Sequence, residues 1–203
     1  MQQRVNQHWW HGAKRLPSPN QNERPAAAAI TLIVIHNISL PAGEFGGSAI
    51  DALFLNQLDI SAHPSFSSLA GLRVSSHLLI RRDGAVHQYV SFDRRAWHAG
   101  RSCYRGVVDC NDFSIGIELE GTDHTPYESI QYERLVEIVS DLMACYPTLS
   151  REAIVGHQHI APQRKSDPGP AFDWAGFRQR LHERLGGMTD GGWTGQTGTG
   201  VLQ

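Results

Sequence analysis

Nowhere in this 203-residue chain do the ~18 consecutive apolar residues of a membrane-spanning helix occur. Its opening residues, MQQRVNQHWWHGAKRL, also lack the apolar core of a secretory signal, so a cytoplasmic protein is expected. A large excess of charge of one sign is missing as well. A formal net charge of −2 and a pI near 6.6 leave no basic stripe, so neither nucleic acid nor an anionic membrane is an expected partner. Cysteine is scarce: Cys103, Cys110 and Cys145 are odd in number and show no CxxC spacing. That excludes a disulfide framework and a thiolate zinc knuckle, and it fits a reducing compartment. There is no internal repeat, and no obligate protein partner is evident.

With 40% hydrophobic and 19% charged residues, the chain is long enough to bury one substantial core. Residues 1–25 read as a lead-in, because the prolines of RLPSPNQNERP are incompatible with a central strand. Residues 26–185 carry the folded domain. Residues 186–203, GGMTDGGWTGQTGTGVLQ, have almost no charge or periodicity and are expected to be a disordered tail.

Residues 29–35 (AITLIVI) are a continuous β-branched run, the pattern of a strand buried on both faces, and they end at His36-Asn37. Ile50, Leu53, Phe54 and Leu58 have helical spacing behind Ser48, a plausible N-cap. Residues 73–81 and 85–90 flank Asp83-Gly84 as a hairpin, with Arg73, Ser75 and His77 on one face of its first strand. In FSIGIELEG, Phe113, Ile115, Ile117 and Leu119 alternate with Ser114, Gly116, Glu118 and Glu120. Both carboxylates therefore share a face, on which Gly116 leaves room for another group to approach. A buried glutamate needs a partner or a chemical task, and Glu118, deeper in the strand, is the stronger candidate. Thr125-Pro126-Tyr127-Glu128 has the form of a capping box before the main helix, which runs to Tyr146-Pro147. Asp173 can cap a final helix bearing Phe177, Leu181 and Leu185.

The segment GHQHIAPQRKSDPGP, residues 156–170, holds His157, His159, Lys165 and Asp167 among three prolines and two glycines. Such a segment is expected to be a rigid, irregular loop. His36, one of His157 and His159, and Asp167 make a ligand set suited to a catalytic Zn²⁺ with one open position. Glu118 could serve as general base, and Lys165 could stabilise an oxyanion. RAWHAG, which pairs Trp97 with His98, suggests a groove lining but is weak evidence alone.

Together, VIHNISLPAGEFGG, LIRRDG, RAWHAG, CNDFSIGIELEGTD and GHQHIAPQRKSDPGPAFDW resemble the AmpD family of 1,6-anhydro-N-acetylmuramyl-L-alanine amidases over residues 10–185. The resemblance implies an α/β fold with a central mixed sheet flanked by helices, shared with peptidoglycan-recognition proteins and phage amidases. It implies zinc on His36, His157 and Asp167, with Glu118 and Lys165 catalytic. It places Asn37, Arg73 and Trp97 at muropeptide contacts. The implied activity is hydrolysis of the amide between the lactyl group of anhydro-N-acetylmuramic acid and L-alanine in cytoplasmic wall recycling, which would restrain β-lactamase induction. The sequence departs from the family at His159, where relatives carry a small, acidic or amide residue. It departs again at residues 106–109 (GVVD), where they carry arginine. The alternatives are a muropeptide-binding module without catalysis, or an amidase acting on intact peptidoglycan.

Overall fold

The structure, a computed structural model, describes residues 4–26 and 28–186. The tail expected to be disordered lies, from residue 187 onward, outside the described residues. A six-stranded sheet is built from β1 (Lys14–Arg15), β2 (Leu32–Ile38), β3 (Leu78–Ile80), β4 (Val86–Gln88), β5 (Ser114–Glu120) and β6 (Ile154–Gly156). Its spatial order is β6-β2-β5-β3-β4-β1. All pairings are parallel except β3 with β4, the hairpin, so the sheet is mixed. Among the described residues four α-helices surround it: α1 (Ala49–Phe54), α2 (Ser129–Cys145), α3 (His157–Ile160) and α4 (Trp174–Arg184).

The central strands are buried on both sides, and the two sides are covered differently. Ile33, Ile35, Leu78, Ile80, Ile115, Ile117 and Leu119 pack with Leu135, Ile138, Val139 and Leu142 of α2 and with Phe177 and Leu181 of α4. On the opposite face, Leu79 joins Ile50, Leu53 and Phe54 of α1, while Leu32 and Val34 join Ala99, Cys110 and Ile160. This second face, toward the carboxyl ends of β2, β5 and β6, holds the polar residues. Ligands in α/β proteins characteristically bind at such strand ends.

Several local expectations shift. The strand foreseen at residues 29–35 runs on through His36 and Asn37, because β5 pairs with it residue for residue up to Glu120↔Ile38. Backbone hydrogen bonding outlasts the apolar run. The hairpin strands are shorter than expected; residues 73–77 instead run beside residues 95–97, with Ser75 and Trp97 bonded N–H to C=O at 3.1 Å. The hairpin turn itself holds Gly84 at φ +82°. The capping box of α2 sits one turn later than the sequence suggests: Gln131 Oε1 accepts from Glu128 N–H at 3.0 Å, and the helix begins at Ser129. Gln131, fully buried, also donates to the carbonyls of Ile80 (3.2 Å) and Glu120 (3.1 Å), and this ties the helix start to the sheet. For α4, Asp173 caps as expected, accepting from Gly176 N–H at 2.9 Å. The lead-in contributes to the core through Val5 and Trp10 and pairs Gln21–Glu23 against Arg94–Ala96.

Candidate metal and catalytic site

His36 lies on β2 in register with Glu118 on β5, so the two side chains rise side by side from the second face of the sheet. His157 follows directly from β6, which pairs with the other edge of β2. The GHQHIAPQRKSDPGP segment is less irregular than its composition suggests, since its first residues close a single helical turn before Pro162 ends it. That turn aims His157 at His36. Asp167 returns to the same point, its carbonyl accepting from Gln158 N–H at 3.0 Å.

Three atoms converge there. His36 Nδ1 lies 3.0 Å from His157 Nδ1 and 2.9 Å from Asp167 Oδ2, and His157 Nδ1 lies 3.1 Å from the same oxygen. Both imidazoles are about 2% exposed. Burial is the main cause that lowers the His36 pKa to about 4, so its imidazole is neutral near pH 7. His157 Nε2 lies 3.0 Å from the Ala99 carbonyl, an atom that only accepts, so the nitrogen there carries hydrogen. A neutral His157 then turns a bare Nδ1 lone pair inward. A carboxylate facing imidazole lone pairs at about 3 Å is an unfavourable arrangement until a cation lies between them. The residues thus fit a metal, and His36, His157 and Asp167 form a group able to hold one.

Glu118 stands beside this group with a buried Oε2 that has no hydrogen-bond partner among the described residues. Desolvation first, then the Asp167 charge, pushes its pKa well above the usual carboxylate range, while Lys165 pulls it back. Glu120, on the same face two residues on, has a different environment. It accepts from Arg81 Nη1 (3.0 Å), Gly46 N–H (2.7 Å) and Arg82 N–H (3.2 Å). Glu120 is paired within the fold; Glu118 lies beside the His36, His157 and Asp167 group with its Oε2 unpartnered among the described residues.

Lys165 is exposed at the rim, close enough for its charge to act on both His36 and Glu118. His159 turns away from the group: its Nδ1 accepts from Gly156 N–H at 2.9 Å, and its ring meets Trp174 edge-on. Asn37 donates to Asp123 Oδ1 at 2.7 Å, and the Asp123 carbonyl accepts from Ala171 N–H, so Asn37 fixes the wall beside the site. Trp97 is half-buried, with its indole N–H donated to Asn22 Oδ1 at 2.6 Å, and Arg73 is exposed on the strand-like segment beside it. Val107 and Val108 form an exposed ribbon strand. Sequence reasoning named His98 only as part of a possible groove lining and missed its place behind His36, whose Nε2 lies 2.9 Å from His98 Nδ1. The available signal was Gly116: a Cβ there would sit 2.5 Å from the His98 ring, which is the group that uses the room.

A mixed α/β sheet with a metal-competent His₂Asp group and an unpaired buried glutamate at its strand ends defines the scaffold of a hydrolase able to use a metal. Residues 26–170 match the family model for N-acetylmuramoyl-L-alanine amidase (Amidase_2), and the chain belongs to that family of enzymes. It is 58% identical over 174 residues to the 1,6-anhydro-N-acetylmuramyl-L-alanine amidase AmpD of Escherichia coli (strain K12), covering 86% of this chain and 94% of that protein. The crystal structure of a Se-Met AmpD derivative superposes with a TM-score of 0.85 at 54% identity, covering 87% of this chain and 98% of that one. A complex of the E. coli amidase AmiD with anhydro-N-acetylmuramic acid-L-Ala-D-γ-Glu-L-Lys matches with a TM-score of 0.55 at 33% identity, covering 78% and 61%. Among the described residues no helix is long and apolar enough to cross a membrane.

Proposed function

We propose that the chain is a zinc-dependent amidase that cleaves the amide between the lactyl carbonyl of 1,6-anhydro-N-acetylmuramic acid and the amine of L-alanine, releasing the stem peptide. The observation that carries this reading is the convergence of His36 Nδ1, His157 Nδ1 and Asp167 Oδ2 beside the unpaired Glu118. The substrate class is supported by the AmpD relative and by the anhydromuropeptide bound to AmiD. When held by these ligands, zinc would supply Lewis acidity, polarising the scissile carbonyl and lowering the pKa of water to about 7.

The residues do the rest. Glu118 takes the proton from the attacking water and passes it to the departing alanine nitrogen as the C–N bond breaks, leaving a lactyl carboxylate and a free amine. Its raised proton affinity suits that transfer. Lys165 brings positive charge from the rim toward the developing oxyanion. Asn37, Arg73 and Trp97 are assigned to substrate contact: Asn37 through the wall it fixes, Arg73 as an exposed cation for stem-peptide carboxylates, and Trp97 as an apolar platform. We assign residues 26–185 as the catalytic domain and the cytoplasm as its compartment, a placement that the three free cysteines fit.

The test is to incubate the purified protein with anhydro-muropeptide and, separately, with intact sacculi, and to identify products by mass. Release of anhydro-N-acetylmuramic acid and an L-alanine-initiated peptide is expected, faster from the soluble substrate. Binding without release would favour a recognition module, and faster cleavage of sacculi a wall-lytic enzyme.

A further inference from the structure

We infer that His98 and the Ala99 carbonyl, pinned by Asn111, are the device that fixes which nitrogen of each histidine ligand faces the metal. The chain of reasoning for His36 starts at the Cys110 carbonyl, which can only accept. Ser114 Oγ lies 2.5 Å from it and therefore donates its one hydrogen there. With that hydrogen committed, Ser114 Oγ is an acceptor toward His98 Nε2 at 3.1 Å, so the His98 hydrogen sits on Nε2. His98 Nδ1 is then a bare acceptor, and the hydrogen shared at 2.9 Å with His36 Nε2 belongs to His36. His36 Nδ1, the atom turned toward His157 and Asp167, is left as a lone pair. A single backbone carbonyl thus sets, through two side chains, the tautomer of a ligand.

The next residue does the same for the second ligand. The Ala99 carbonyl accepts from His157 Nε2 at 3.0 Å and from Arg164 Nη2 at 2.6 Å. Both residues are held in place by Asn111, whose Oδ1 accepts from the backbone N–H of His98 (3.1 Å) and of Ala99 (2.8 Å). From below, β5 cradles the His98 ring at Gly116, where a Cβ would come within 2.5–2.7 Å of three ring atoms. His98, Asn111, Ser114 and Gly116 are positioning residues: they act on the ligands and not on the substrate. Outer partners of this kind orient a metal-bound imidazole and raise its basicity, and their loss typically lowers metal affinity about 10–100-fold.

The inference rests on His36, His157 and Asp167 being a zinc site, and its test separates the two. In metal-stripped, ¹⁵N-histidine-labelled protein, NMR should find His36 with hydrogen on Nε2. Zinc affinity, measured by competition with a chromogenic chelator, should fall about 10–100-fold in His98→Leu. It should return to within a few-fold of wild type in His98→Gln, whose Oε1 can accept from His36 Nε2. Hydrogen on Nδ1 of His36 in the stripped protein, or equal zinc affinity in wild type and His98→Leu, would overturn the inference. So would a His98→Gln variant as weak as His98→Leu, since packing alone would then explain the loss. If His98→Leu does not fold, the glutamine variant and the NMR measurement decide. Failure of the wild type to bind zinc would instead overturn the metal site, while the tautomer measurement still stands.

Discussion

Replacing Gly116 with alanine adds one methyl group to a strand whose backbone tolerates any residue, so the outcome is decided by what that methyl meets. Its nearest neighbours would be His98 Cγ, Nδ1 and Cδ2 at 2.5, 2.6 and 2.7 Å. Ordinary contact begins near 3.4 Å, so the ring has to retreat by about 1 Å in an interior packed too densely to absorb it freely. Overpacking of this size costs about 1–3 kcal/mol. For a domain of this length that lowers Tm by roughly 2–4 °C per kcal/mol. The same retreat pulls His98 Nδ1 away from His36 Nε2, now 2.9 Å distant, so zinc affinity should fall along with stability. Calorimetry of the metal-free protein and chelator competition measure the two effects separately. A Gly116→Ala protein with wild-type Tm and wild-type zinc affinity would show that the glycine is not a cradle and that His98 does not depend on it.

Glu118→Ala should keep zinc and fold normally while kcat on anhydro-muropeptide drops about 10²–10⁴-fold; a loss of zinc in parallel would move Glu118 from base to ligand support. Glu120→Ala should show the reverse balance, since it strips one of two carboxylates from buried Arg81, which keeps Asp51 and the Gly47 carbonyl, and costs about 1–3 kcal/mol in denaturant unfolding; an unchanged midpoint would refute the pairing. His159→Asn should retain zinc and most activity, because His159 turns away from the ligands to accept from the Gly156 N–H and pack against Trp174; loss of zinc on atomic absorption would place it in the metal group. Asp51 gives a pH prediction. Burial alone would raise its pKa, but hydrogen bonds from His87 and Tyr89 lower it from 3.8 to about 2. Its contribution to stability is therefore full above about pH 4 and is lost as pH falls toward 2. Acid unfolding followed by circular dichroism should lose that component in Asp51→Asn, and superimposable pH profiles would refute it.

Most strands and helices were legible because the central strands are buried on both faces and read as apolar runs, while α2 and α4 carry clear helical spacing; the mixed sheet they build was implied by the family resemblance, and β1 lay hidden in the polar lead-in. The site was legible in its residue types: histidine at a strand end, glutamate on a buried strand, and a histidine and aspartate in a proline-rich segment. Two things were hidden. Alternation places Glu118 and Glu120 on one face but says nothing of Arg81, whose approach from beyond β3 neutralises only the second. Likewise, the choice between His157 and His159 depends on which way one helical turn faces, and spacing does not encode that. The place of His98 behind His36 escaped notice because it depends on a carbonyl, a hydroxyl and a glycine of other segments, none of which marks a site by itself.

The most direct test is a zinc titration of the stripped protein with hydrolysis of anhydro-muropeptide as the readout. Three convergent ligand atoms predict that activity is absent without metal, rises linearly and breaks at one equivalent per chain. Full activity in the stripped protein, or a rise with no break at one equivalent, would contradict the site assigned to His36, His157 and Asp167.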